Sequence, residues 1–492
     1  MTEPPRLSDA TLGGIAPQVR RPAYDRASVT AGIVHLGVGA FHRAHQAVLT
    51  DDCLAAGEMD WGITAASLRS PATRDALAPQ NGLYTLALRS DVEELRVVGS
   101  IGRVLVAPED PAALLAAMTR AATRIVSLTI TEKGYGIDAS GALKRDDPDI
   151  AHDLAHPGSP RTALGFVVQA LAQRRAVGLA PFTLLSCDNL SQNGRVLHRA
   201  LTEFATARDA GLGAFVQDEV SCPSTMVDRI VPATTEADRA AISARIGARD
   251  DWPVLAEPFL QWVIEDRFPT GRPGWDRAGV TFASDVAPFE VMKLRLLNGA
   301  HSTLAAMGRL AGHDTVAQAM TDPTIRAFVQ AYWDQVGPTV PAHINVAGYT
   351  ARLTARFDNP ALQHKLAQIA ADASQKVPQR LLGPLRDLRA RQMPQGAVVL
   401  AIAAWMRSCE GVDDAGAALA MPDPVLAGWA ARPTATMPAD LAVRRWLDFH
   451  PVFGMDLAQD HGLAADLGQA LAALRDRGVM ATVRDWLGSR WS

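Results

Sequence analysis

Residues 33–45 read IVHLGVGAFHRAH and decide the fold of the first half of the chain. A short apolar run ends in Gly37-Val38-Gly39 and an amphipathic segment follows at once, which predicts a strand, a tight turn and a helix. This order is typical of the first turn of a dinucleotide-binding domain. Gly37 permits the turn, and Gly39 lets the backbone approach a pyrophosphate at the start of the helix. The predicted cofactor-binding residues here are Gly37, Val38, Gly39, Ala40 and Phe41; a glycine turn without a cofactor is the alternative.

Two features of a complete dinucleotide motif are missing. His42 stands where the third glycine of G-x-G-x-x-G would be. An acidic residue that binds the ribose hydroxyls should end the second strand, but that strand runs into Leu68-Arg69-Ser70-Pro71. We include Arg69 among the cofactor-binding residues, and these residues leave the choice between NAD and NADP open.

The pattern of apolar residues divides the chain into two domains. Residues 32–285 alternate β-branched runs with amphipathic stretches, which predicts an α/β domain with a mainly parallel sheet. Strands are predicted at 33–36, 63–68, 125–130 and 182–187, and helices at 111–122 and 163–176. After residue 286, Ala/Leu-rich periodic segments dominate and predict a mostly helical domain. The predicted domains are therefore 1–285, for dinucleotide binding, and 286–492, for substrate and catalysis.

Composition excludes several classes of protein. The chain of 492 residues has 48 Lys and Arg against 52 Asp and Glu, a net charge of −4, and its basic residues are scattered. Nucleic acid and anionic membranes are therefore unexpected partners. The longest apolar run, 396–406, is too short to span a bilayer, and no secretory signal is evident. The four cysteines are far apart, so we predict neither a disulfide framework nor a structural zinc site, and a cytoplasmic location. The expected assembly is a monomer or a small homo-oligomer.

Three histidines near the glycine turn raise the question of a metal site. His42 and His45 are three residues apart on the predicted helix, and His35 lies just upstream. No carboxylate or cysteine is spaced to complete a site, and histidines at a helix start often bind local groups. We therefore predict no metal.

Polar residues follow two of the predicted strands, where ligands collect in open α/β sheets. The strand at 125–130 runs into a segment that contains Lys133, and the strand at 182–187 runs into Asp188-Asn189. The Asn189 amide could donate a hydrogen bond to a developing alkoxide. An Asx turn that leads into the next helix is the alternative.

A third group of polar residues lies in PFEVMKLRLLNGAHSTLAAMGRLAG, which predicts a single helix over 288–311. With Lys293 at 0° on an α-helix, His301 falls at about 80° and Asn298 at about 140°. These polar groups project from an apolar face, where they need partners. Burial lowers the pKa of a lysine and equips it for proton transfer, whereas a lysine that reaches solvent and a core histidine are the alternative.

Five stretches in order resemble the mannitol dehydrogenase family, the polyol-specific long-chain dehydrogenases and reductases. The resemblance covers about residues 30–430 through IVHLGVGAFHRAHQA, LTITEKGY, SCDNLSQNG, TMVDRIVP and KLRLLNGAHS. It implies a Rossmann-type N-terminal domain, a helical C-terminal domain, an active site in the cleft between them, and NAD without a metal. It also implies that Lys293 is the acid/base, that Asn189 and Asn298 form the oxyanion site, and that His301 positions the substrate.

Within that family, FLQWVIEDRFPTGRPGWD, ASQKVPQRLLGPLRD and WMRSCEGVDDAG most resemble the fructuronate reductase branch, which interconverts D-fructuronate and D-mannonate. A hexuronate carboxylate needs cationic partners. Lys376 and Arg380, four residues apart, are the predicted clamp, and Lys133 is a further candidate; a solvated helix face is the alternative. Asp228 is a predicted substrate-site residue, and Glu290 is predicted to lie near Lys293.

Three other functions compete with this prediction. Mannitol 2-dehydrogenase, or another polyol dehydrogenase of the same family, would act on fructose and mannitol instead. A dinucleotide-binding sensor without turnover would bind nucleotide but not consume it. A zinc alcohol dehydrogenase would lose turnover on chelation.

Overall fold

A computed structural model describes residues 4–90, 92–138 and 140–490, with no side-chain detail for Arg490. The chain divides into two compact units, Met1–Ala287 and Pro288–Ser492. In chain order, the strands of the first unit are β1 (Ala31–Leu36), β2 (Gly62–Ser67), β3 (Tyr84–Leu88), β4 (Glu94–Val98), β5 (Ile101–Val106), β6 (Ile125–Leu128), β7 (Thr183–Ser186), β8 (Thr225–Asp228), β9 (Val254–Ala256), β10 (Gln261–Glu265) and β11 (Thr281–Ala283). Its helices are α1 (Ala40–Ala44), α2 (Gln46–Ala55), α3 (Ala72–Leu77), α4 (Pro111–Thr119), α5 (Pro148–Ala155), α6 (Ala163–Ala176), α7 (Asn193–Arg208), α8 (Ala210–Glu219) and α9 (Glu236–Ile246).

The main sheet of the first unit has five strands in the order β5-β2-β1-β6-β7, and each neighbouring pair is parallel. The chain moves outward from β1 through β2 to β5 and then crosses to β6, so the strand order reverses beside β1. All four predicted strands lie in this sheet. Because β6 and β7 are buried along their whole length, neither contains a charged residue, and such runs can be recognised from the sequence alone. This confirms the predicted Rossmann-type domain.

Within the described ranges, seven strands were not predicted. β5 is the fifth strand of the main sheet, and the other six form two small sheets, β4-β3-β9 and β11-β10-β8. The pairs β3–β4 and β8–β10 are antiparallel. Most of their pairings join segments that are far apart in the sequence, as in Leu86 with Val254 between β3 and β9, so local composition carries little signal for them.

The second unit confirms the mostly helical prediction. Its helices are α10 (Ala287–Met292), which begins at the boundary, α11 (Gly299–Leu310), α12 (Val316–Thr321), α13 (Pro323–Val336), α14 (Val346–Phe357), α15 (Leu366–Ala370), α16 (Ala373–Val377), α17 (Gly383–Ala390), α18 (Gly396–Ser408), α19 (Pro424–Ala427), α20 (Ala439–Leu447), α21 (His450–Ala458) and α22 (His461–Arg490). None of the helices in the described ranges is long and apolar enough to cross a membrane.

The predicted single helix over 288–311 is wrong in its middle. A π-helix, Lys293–Asn298, separates α10 from α11, and the Gly299 N–H donates to the Leu294 carbonyl five residues back. A second π-helix, Pro378–Leu382, separates α16 from α17 in the same way. Because each turn of a π-helix is wider than an α-helical turn, the angles predicted for Asn298 and His301 relative to Lys293 do not hold.

Candidate active site

A cavity of about 1090 Å³ lies in the first unit, at the carboxyl ends of three neighbouring strands. Its wall includes Gly37 after β1, Leu68 after β2 and Thr129 after β6. This is the edge where the strand order of the sheet reverses, which is where open α/β sheets bind their ligands. The cavity is also lined by three other residues that were predicted to bind the cofactor, Val38, Gly39 and Arg69.

The two glycines of the turn serve different purposes. Gly37 has φ = +94°, and a Cβ there would lie 2.1 Å from the Thr129 carbonyl oxygen, so the protein itself requires glycine. A Cβ at Gly39 would meet nothing nearer than the Gly37 carbonyl oxygen at 3.9 Å. The open space above Gly39 is therefore free for a ligand, and it fits the close backbone approach that a pyrophosphate needs.

His42, in place of the third glycine, forms the contact between β1 and α1. Its ring stacks on that of His35, with 3.4 Å between the centroids. His35 is held by Ser127 Oγ, 2.8 Å from Nδ1, and by Thr129 Oγ1, 3.0 Å from Nε2. Burial lowers the pKa of His35 to about 3 and that of His42 well below its usual value, so both rings stay neutral. The described residues contain no group of three or more metal-binding side chains.

Ala40 and Phe41 do not line the cavity, although both were predicted at the cofactor site. The Phe41 ring stacks on His45, with 4.9 Å between the centroids, and packs against the core beneath the sheet. Lys133, which was predicted to bind substrate, lines the same cavity as the glycine turn and is exposed. Its position associates it with the dinucleotide cavity.

The segment after β2 has a basic and not an acidic character. Arg69 is exposed on the cavity wall beside Ser67, Ser70 and Thr73. The cavity's carboxylates, Asp147 and Asp149, come from elsewhere in the chain.

The turn after β7 is built by residues beside Asn189. The Asp188 carboxylate accepts hydrogen bonds from the backbone N–H of Thr131 (2.9 Å) and Ile130 (3.1 Å) and from the Tyr135 hydroxyl (2.9 Å). Asn193 was missed by sequence reasoning; its buried Nδ2 donates to the Asp188 carbonyl at 3.0 Å. Asn189 itself is exposed at the carboxyl end of β7, and Asp228 is buried at the end of β8.

In the second unit, the first π-helix carries two of the predicted catalytic residues. Lys293 and Asn298 are five residues apart, so the wide turn places them closer together around the helix axis than an α-helix would, and both are partly exposed. Glu290 lies one turn earlier, on α10, and is also partly exposed. The π-helix therefore brings the amine and the amide to one side of the helix.

His301 is buried near the start of α11. Its ring packs against Phe357 and His364, with centroid distances of 4.8 and 5.0 Å. Its Nε2 atom has no hydrogen-bond partner among the described residues. Burial lowers the pKa of His301 well below its usual value, and the charges of His364, Arg356, Arg380 and Lys293 lower it further. The ring is therefore neutral and has one nitrogen available for a hydroxyl group.

The two members of the predicted clamp have different environments. The Lys376 ammonium donates to the carbonyl oxygens of Ala371 (2.6 Å) and Ile369 (3.4 Å), so it ties down the end of α15. The Arg380 guanidinium donates to Ser302 Oγ at 3.3 Å, next to His301. The π-helix begins between these two residues, so the α-helical spacing assumed for a clamp is wrong. Burial lowers the pKa of Arg380 to about 10, which leaves it charged at neutral pH.

Comparisons with known proteins agree with this architecture. Family models described as the mannitol dehydrogenase Rossmann domain and the mannitol dehydrogenase C-terminal domain match residues 31–277 and 285–475. The chain is 42% identical to a D-mannonate oxidoreductase of Escherichia coli K12 over 475 residues, 94% of this chain and 97% of the relative.

Other similar proteins have names that point to a polyol. A mannitol 2-dehydrogenase of Cereibacter sphaeroides is also 42% identical, over 479 residues that make up 96% of this chain and 99% of the relative. Among solved structures, the Pseudomonas fluorescens mannitol 2-dehydrogenase, in a ternary complex with NAD and D-mannitol, is similar with a TM-score of 0.83. Its sequence is 40% identical, and the match covers 98% of this chain and 99% of that one.

Proposed function

This chain belongs to the mannitol dehydrogenase family and is an oxidoreductase that acts on CH–OH groups, and we propose that it reversibly reduces D-fructuronate to D-mannonate with NAD(H) and no metal. The overall reaction consumes one NADH and one proton for each ketone that becomes an alcohol. When bound, the nicotinamide supplies the hydride to the ketone carbon.

The residues of this chain would supply the proton and the hydrogen bonds. Protonated Lys293 gives its proton to the oxygen of the ketone as negative charge develops there, and neutral Lys293 takes it back in alcohol oxidation. In this proposal the amides of Asn189 and Asn298 donate hydrogen bonds to the same oxygen and stabilise the charge that develops on it. The free Nε2 of His301 binds a substrate hydroxyl.

The environment of Arg380 is the observation that favours a sugar acid as the substrate. Its guanidinium is partly buried and charged, and within the described residues its side chain bonds only to the neutral Ser302 hydroxyl. Burying a cation without an anion is costly, and a substrate carboxylate would offset that cost through a charged hydrogen bond. Lys376 and Lys133 are weaker candidates because one is bound to backbone carbonyls and the other lines the dinucleotide cavity.

The second candidate is mannitol 2-dehydrogenase, which the equal identity to the Cereibacter sphaeroides enzyme favours. Initial rates with D-fructuronate and D-fructose, each with NADH and NADPH, separate the two. We expect a higher kcat/KM for fructuronate, and NADH to be the better reductant. Higher activity with fructose would make the polyol the substrate, and NADH binding without turnover of either would indicate a sensor. Turnover that stops on thorough chelation would indicate a metal enzyme.

A further inference from the structure

The first π-helix leaves a backbone carbonyl without its usual donor. In an α-helix the Gly299 N–H would donate to Arg295, four residues back, but here it donates to Leu294. The Arg295 carbonyl receives the hydroxyl of Tyr332 instead, at 3.0 Å. The next residue of α13, Trp333, donates its Nε1–H to the Leu296 carbonyl at 2.9 Å. Helix α13 thus supplies two of the hydrogen bonds that hold the π-helix.

The same hydroxyl also reaches the second π-helix. Tyr332 Oη lies 3.4 Å from the carbonyl oxygen of Arg380. The α-helical donor for that carbonyl would be residue 384, which is a proline and has no N–H. The Tyr332 hydroxyl is therefore within hydrogen-bonding distance of two backbone carbonyls, those of Arg295 and Arg380. Each carbonyl belongs to a π-helix, and neither accepts a hydrogen bond from the N–H of the residue four positions later.

Gly299 makes this arrangement possible. A Cβ at Gly299 would lie 2.0 Å from Tyr332 Oη and 3.0 Å from the Arg380 carbonyl oxygen. Gly299 directly follows Asn298, so the space that it leaves is adjacent to the proposed site. Tyr332 is fully buried, and burial raises the pKa of its hydroxyl, which therefore remains a donor at neutral pH.

We infer that Tyr332 is a positioning residue whose hydroxyl sets the relative placement of the two π-helices, and with it the placement of Lys293 and Asn298 against Arg380. This inference rests on the proposed function, in which those three residues contact the substrate. A displacement of about 1 Å in a reacting group can cost a hundredfold in rate. Tyr332 does not contact the substrate itself, so its effect should appear in kcat and not in cofactor binding.

The test is Tyr332→Phe, which removes the hydroxyl and keeps the ring. We expect kcat for fructuronate reduction to fall about ten- to a hundredfold. The Kd of NADH, measured by fluorescence, should stay within about twofold, and the pH profile of mannonate oxidation should shift because Lys293 has moved. Tyr84→Phe is the matched control: Tyr84 is equally buried, and its hydroxyl donates to the Arg43 carbonyl at 2.6 Å in the first unit. It should lose stability without losing kcat.

Gly299→Ala perturbs the same contact and is the alternative variant if Tyr332→Phe folds poorly. The added methyl group must displace the hydroxyl, so kcat should fall, and the double variant with Tyr332→Phe should be less impaired than the two single effects predict. Suppose that folded Tyr332→Phe has the wild-type kcat and an unchanged pH profile, while Lys293→Ala is inactive. This result would refute the positioning role of Tyr332 and leave the proposed function intact. Full turnover in Lys293→Ala would refute the proposed function instead.

Discussion

The substitution Arg380→Gln tests the proposed substrate most directly. Glutamine is neutral but can still donate a hydrogen bond to Ser302, so the change removes mainly the positive charge. Fructuronate and fructose differ in the group at carbon 6, a carboxylate in one and a hydroxymethyl in the other. Only fructuronate can lose a charged interaction when the guanidinium is removed.

The size of the loss follows from the strength of that interaction. A hydrogen bond to a charged group contributes about 1.5–3 kcal/mol, and about 1.4 kcal/mol corresponds to a factor of ten. The kcat/KM for fructuronate should therefore fall roughly ten- to a hundredfold more than that for fructose. Arg380→Lys should retain part of the activity, because an ammonium keeps the charge but loses the bidentate geometry of the guanidinium.

The assay is the decrease of NADH absorbance with each sugar at several concentrations. Lys376→Gln is the matched control, since its ammonium is bound to the Ala371 and Ile369 carbonyls and should not discriminate between the substrates. Equal losses on both sugars in Arg380→Gln would show that Arg380 serves the fold or a shared hydroxyl. A selective loss in Lys376→Gln would move the carboxylate site to that lysine.

Four further predictions follow from the two sites. Lys293→Ala should lower kcat by about 10²–10⁴-fold and leave the Kd of NADH nearly unchanged; near-normal turnover would remove the lysine from the mechanism. Mannonate oxidation should rise with pH through one ionisation, and a profile that persists in a weakly active Lys293 variant would identify another base. Gly39→Ala should fold normally but raise the Kd of NADH about tenfold, whereas Gly37→Ala should lose about 2 kcal/mol or more of unfolding free energy, as measured by denaturant titration. Because the pKa of His35 is about 3 in the fold, the unfolded chain binds a proton between pH 6.5 and 3 that the fold does not, so stability should fall as pH drops through that range. A His35→Gln variant that folds should show a shallower fall, and an unchanged slope would contradict this account.

The sequence by itself determined the features that depend on local pattern. The Gly37-Val38-Gly39 turn and the buried strands could be recognised directly, because a positive φ favours glycine and a strand buried on both faces excludes charged residues. The change from β-branched to Ala/Leu-rich segments predicted the helical second unit. The candidate residues Lys293, Asn298 and His301 were recognisable from an ordered motif.

Only the tertiary structure decided how those residues are arranged. The π-helix at Lys293–Asn298 resembles an ordinary helix in sequence, because the groups that bond its freed carbonyls, Tyr332 and Trp333, lie more than thirty residues later. Lys376 and Arg380 also look equivalent in the sequence. In the structure, backbone carbonyls bind the Lys376 ammonium, whereas the Arg380 guanidinium lies beside His301. The stacking of His42 on His35 likewise joins a helix to a strand. The contacts of Tyr332, Trp333 and Arg380 join segments that are distant in the sequence, and those of His42 and Lys376 depend on how neighbouring elements fold back on each other, so periodicity and composition do not reveal them.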